Sequence, residues 1–73
     1  MKKSDIVEEL FNARINGNSI KGNATYEAML KRVSKQDILN VIDCFYGSEY
    51  DCIKYGTKLE LIEQLANAIK QNS

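Results

Sequence analysis

The sequence predicts an all-α fold, a single small domain of four helices. Three observations lead there. The 73 residues contain no proline, and Leu, Ile, Glu, Lys, Ala and Gln are frequent, which favours helix. Apolar side chains recur three and four residues apart in four separate segments, the period of a helix with one buried face. Clusters of Gly, Asn and Ser stand between those segments, where they break the helical pattern.

The first helix is expected over about 4–15, with Ser4 as its cap and Asp5, Glu8 and Glu9 in or near the first turn. Negative charge is favoured there by the helix dipole. Ile6, Val7, Leu10, Phe11 and Ile15 form its apolar face, and Asn16-Gly17-Asn18 ends it, since Gly and Asn accept the left-handed conformation of a helix terminus. Residues 16–24 then read as a loop.

A second helix is expected over about 25–33, capped by Thr25, with Tyr26, Met29, Leu30 and Val33 as a core stripe. A third is expected over about 35–46. Ser34 is its cap, with the Asp37 carboxylate three residues on; Ile38, Leu39, Val41, Ile42 and Phe45 form its face, and Gly47 stops it. The fourth, over about 58–71, buries Leu61, Ile62, Leu65, Ala68 and Ile69. Its start is closely specified. Thr57 can accept from the Glu60 amide while the Glu60 carboxylate reaches back to the amide of Thr57.

The ten-residue connection from Gly47 to Gly56 carries Tyr50, Ile53 and Tyr55. A connection with apolar anchors is expected to lie across the core, with Cys52–Tyr55 as a short extended piece. No internal repeat, low-complexity segment or long heptad run is present.

An apolar content of 44% supports a core, and a domain of this length holds about 3–5 kcal/mol of stability. It is expected as a monomer or a homodimer. Formal net charge is zero, so no global field draws the chain to a polyanion. The charge is uneven, however. Residues 1–36 carry seven basic groups against four acidic, and residues 37–73 three against six. Either the halves attract each other, or the difference is chance, or the first half offers a basic face to phosphate. No apolar run approaches the ~20 residues of a membrane span, and the charged N-terminal segment lacks the apolar stretch of a signal peptide. A cytoplasmic location follows as an expectation, with Cys44 and Cys52 as reduced, buried or half-buried thiols; a regulatory disulfide between them is the alternative.

Catalytic chemistry is not expected. There is no histidine, the usual general base and commonest metal ligand. The two cysteines do not make a zinc site. Asp43, Glu49 and Asp51 lack the spacing of a calcium loop, and no phosphate loop or nucleophile motif occurs. No cofactor is expected.

Residues 34–69 read as helix, long crossing connection, helix. Gly56, Lys58, Leu61, Ile62 and Leu65, with Leu39 and Ile42 on the preceding helix, resemble the SAP motif and, more loosely, the Rho N-terminal-like and HeH-type units. The resemblance covers about half the chain. It implies contact with a nucleic-acid backbone through the connection and the start of the last helix: Lys54, Thr57 and Lys58, with Lys31, Arg32 and Lys35 adding charge if they share that face. A second function class suits the neutral charge equally: a protein-interaction adaptor or inhibitor, of the kind found on phages and mobile elements. Tyr46, Tyr50 and Tyr55 are its interface candidates. The aromatic cluster of Phe45, Tyr46, Tyr50 and Tyr55 has three readings open: packing under the connection, an interface, or stacking on the bases of a single strand.

Overall fold

The computed structural model describes residues 2–47, 50 and 53–72. Among these there are four α-helices and no strand: α1 (Lys3–Ile15), α2 (Ala24–Arg32), α3 (Lys35–Val41) and α4 (Lys58–Asn72). α1 is the central element. It packs most extensively on α4 and also contacts α3 and α2. The Cα radius of gyration is 11.1 Å, the value of about 11 Å that a chain of this length reaches when fully collapsed.

The core is apolar throughout. Ile6, Val7, Leu10 and Phe11 of α1 meet Ile38, Val41, Ile42, Leu61, Ile62 and Leu65, and no described polar side chain is buried with them. Ala13 and Ala66 are also buried. Ala68 and Ile69 reach only the core's edge, and Ile15 is half-buried. α2 differs from its expected role. None of its own residues is buried; Tyr26, Met29 and Leu30 cover the core from outside, and only Val33 just beyond it is fully enclosed.

Caps set the boundaries, and two differ from expectation. α1 begins one residue before Ser4, with Lys2 at the cap position and no side-chain cap bond. α2 is capped by Asn23, whose side-chain oxygen accepts from the amides of Thr25 (3.1 Å) and Tyr26 (3.2 Å); Thr25 lies inside the helix. At α3 the box forms as expected: the Ser34 hydroxyl accepts from the Asp37 amide (3.1 Å), and the Asp37 carboxylate accepts from the Ser34 amide (2.8 Å). α1 ends in a complete Schellman pair. The Asn18 amide donates to Ala13 O (2.8 Å) and the Gly17 amide to Arg14 O (3.0 Å), with Gly17 in the left-handed region at φ +88°.

The loop after α1 contributes Ile20, only 1% exposed. Helical periodicity says nothing about a residue in a loop, so its place in the core was not legible in the sequence.

The third helix does not run regularly to residue 46. After Val41 the backbone widens into a π-helical turn, Ile42–Tyr46, and the Gly47 amide bonds back five residues to Ile42 O. A wide turn rotates less per residue than the ~100° of an α-helix. Tyr46 therefore comes to the core edge in place of Phe45. Phe45 is 58% exposed and Cys44 is exposed too, both against expectation. Downstream, Ile53 is 7% exposed and belongs to the core, so the connection does anchor there. Ile53 sits in a tight turn, and Lys54 and Tyr55 follow with no regular structure. Glu49, Asp51 and Cys52, with the thiol expectation for Cys52, lie outside the described residues.

Candidate functional site

α4 begins where α2 ends, and one side chain makes the join. The Lys58 ammonium donates to Leu30 O (3.1 Å) and Val33 O (3.0 Å). Both carbonyls belong to the last turn of α2 and the residue after it, where helix carbonyls have no intrahelical partner. Val33 is extended, at φ −115° and ψ 149°, so α2 cannot bond them onward. A charged donor from 25 and 28 residues away satisfies them instead.

Three further basic residues flank that join in the sequence. Leu30 and Val33 bracket Lys31 and Arg32, and Lys35 opens α3 two residues further on. All three side chains are exposed. They lie within at most ~15 Å of one another along the chain. None has an ion-pair partner among the described residues. The negative end of the α2 dipole favours this concentration of cations, as does the compensation of Lys58 by two carbonyls. Two acids flank these residues in sequence: Glu27, four residues before Lys31 on α2, and Asp37, which accepts from the Ser34 amide and pairs with Lys3 (3.6 Å). The Ser34 amide is the main reason the Asp37 carboxyl is held below its ordinary value, with the Ser34 hydroxyl and Lys3 adding to it.

Thr57 and Lys54 have other partners. The Thr57 hydroxyl accepts from the Glu60 amide (3.2 Å) and donates to the Glu60 carboxylate (3.2 Å). The carboxylate thus takes the hydroxyl proton rather than the Thr57 amide expected from the sequence. Lys54 pairs with Asp43 on the wide turn at 3.0 Å, which ties the connection to the end of the third helix.

The tyrosines divide. Tyr46 stands edge-on to Phe11, centroids 5.9 Å apart, and Tyr50 stands edge-on to Tyr46 at 6.1 Å. Both are half-buried and their rings extend the core outward. Burial pushes the Tyr46 phenol above its ordinary value, with Glu8 and Tyr50 contributing. Tyr55 is different, at 75% exposed. Its backbone is held nonetheless, because the Gln64 side chain donates to Tyr55 O (3.2 Å).

Phe45, Cys44, Val41, Asn40 and Asp37, with Lys3 and Ser4, line an open cleft of about 170 Å³. This is room for one side chain. Among the described residues no group of Cys, Asp and Glu side chains is arranged to hold a metal ion, and no helix is long and apolar enough to cross a membrane.

Of the basic residues named from the sequence, Lys58 is bonded to the end of α2, Lys31, Arg32 and Lys35 are exposed, and Lys54 pairs with Asp43. What the sequence could not show is the internal role of Lys58, since no local signal marks a lysine that reaches 25 residues back. Comparison of the chain with protein-family models, with curated proteins and with solved structures finds no match.

Proposed function

We propose that this domain is a non-catalytic, cytoplasmic nucleic-acid-binding module, with the SAP-like reading of residues 34–69 as its frame. The observation that supports it most is that Lys58, at the start of α4, bonds the end of α2, where the exposed Lys31 and Arg32 stand in sequence with Lys35 just beyond. Lys31, Arg32 and Lys35 contact phosphates. Lys58 holds the corner's shape, and its ammonium adds to the local field without being the main contact. Three phosphate contacts give weak binding whose logarithm falls with log salt at a slope of about −2 to −3. Fluorescence anisotropy with labelled oligonucleotides at low salt tests it. Binding with that slope, abolished by joint Lys31→Glu, Arg32→Glu and Lys35→Glu substitution, is the expected result. No binding to duplex or single strands at low salt sinks the proposal.

A second reading, a protein-interaction adaptor or inhibitor of phage or mobile-element type, draws on the exposed Phe45 beside the cleft of Val41 and Cys44. Aromatic anchors next to a pocket are typical of interfaces. Its test is capture of a specific protein after nuclease treatment, lost on Phe45→Asp.

A further inference from the structure

We propose that the basic corner selects single-stranded over duplex nucleic acid, with Tyr55 as a platform on which an unpaired base stacks. The inference rests on the nucleic-acid reading above and specifies its ligand. The other three tyrosines are half-buried, and Tyr46 and Tyr50 are engaged edge-on in the aromatic row that leads from Phe11. Tyr55 alone is held out to water, 75% exposed, with no ring partner among the described residues. Its backbone is not loose. Gln64 holds its carbonyl, Gly56 turns the chain at φ +103°, and the Thr57–Glu60 cap follows at once.

Its position is equally specific. Tyr55 precedes Lys58 by three residues, which places the two Cα atoms within at most ~11 Å. The Lys58 ammonium in turn sits on the carbonyls that bracket Lys31 and Arg32. An exposed aromatic ring on a backbone-held residue thus stands three residues before the lysine that joins α4 to the segment carrying Lys31 and Arg32. Cations that follow a backbone combined with an aromatic that takes a base face are the chemistry of single-strand binding. A duplex has its base faces already stacked, so it can use the cations but not the ring.

The test is anisotropy at low salt with single-stranded DNA, single-stranded RNA and duplex DNA of equal length. Wild type, Tyr55→Ala, Tyr55→Phe and the triple charge reversal are compared, each shown folded by circular dichroism. Tighter binding of single strands is expected. Tyr55→Ala should weaken it roughly 10-fold while Tyr55→Phe retains it, with duplex affinity little changed by either. The DNA and RNA arms show which strand is preferred. If duplex binds as tightly as single strands, or Tyr55→Ala leaves single-strand affinity unchanged while the triple reversal removes it, this inference is overturned and the nucleic-acid reading stands. If none of the three ligands binds wild type, both fall.

Discussion

The carboxylate of Glu60 occupies the space that a side chain on Gly56 would need. A Cβ added to Gly56 would lie 2.8 Å from Glu60 Oε2 and 3.0 Å from Glu60 Cβ. The absence of a side chain there lets Glu60 fold back over the helix start and meet the Thr57 hydroxyl. The turn, the cap and the first turn of α4 are thus one packed unit.

Gly56→Ala should therefore lose stability twice over, through backbone strain at φ +103° and through displacement of Glu60. We expect a loss of roughly 1–3 kcal/mol in urea denaturation. Gly22→Ala is the control. Gly22 has φ +88° but nothing within 4 Å of an added Cβ, so it should lose less. A double-mutant cycle with Glu60→Ala isolates the steric part: Gly56→Ala should cost less once the Glu60 carboxylate is gone. Equal losses in both backgrounds would show that the contact contributes nothing.

Lys58→Met keeps the aliphatic stem and removes the ammonium from Leu30 O and Val33 O. Hydrogen bonding by a charged group contributes about 1.5–3 kcal/mol, taken here for the two bonds together because one ammonium gives up its hydration to make both. A loss of about 2 kcal/mol is expected, against ~0.5 or less for Lys31→Met and Lys35→Met on the exposed corner. Thermal melts of the three variants, ranked otherwise, would mean that Lys58 does not hold α2 to α4.

Asp37 predicts an acid response. Its carboxyl is held below the ordinary 3.8, chiefly by the Ser34 amide. A depressed folded-state pKa adds stability that is fully present above the unfolded value and lost as pH falls through the folded one. Wild type should lose this contribution below about pH 4. Asp37→Asn should be less stable at neutral pH and show a shallower decline in that window. Denaturation curves from pH 2.5 to 7 check it. A neutral-pH stability equal to wild type would show that the capping box carries no weight.

Phe45 and Ile20 invert the usual expectation that helix faces are buried and loops are not. Phe45→Ser should change stability by no more than ~0.5 kcal/mol, because the ring is 58% exposed. Ile20→Ala should cost about 2–5 kcal/mol, comparable with the whole stability of a domain this small. Finding the Ile20 variant fully folded at 37 °C and the Phe45 variant unfolded would reverse the assignment of the core in this region.

Much of the fold was legible in the sequence because its signals act over three or four residues. The four helices, the apolar faces of α1 and α4, the Ser34–Asp37 box and the Thr57–Glu60 pairing are all of this kind. Local rules lost accuracy where two residues compete for one task. Asn23 rather than Thr25 caps α2, because its longer side chain reaches the first amides from outside the helix. Of the candidate site, the basic residues could be named from the sequence, but the bonds that Lys58 makes to Leu30 and Val33 could not.

The sequence by itself determined that this protein is a small helical domain with well-marked helix starts and an apolar core drawn from every third or fourth residue. The tertiary structure alone decided that Lys58 closes the end of α2, that Ile20 enters the core, and that Phe45 and Tyr55 face water while Tyr46 and Tyr50 do not. The physical reason is range. A helix start is a contest among neighbouring amides and side chains. The fate of orphan carbonyls, of a loop isoleucine or of a ring after a widened turn depends on which surfaces the rest of the chain brings within a few ångströms.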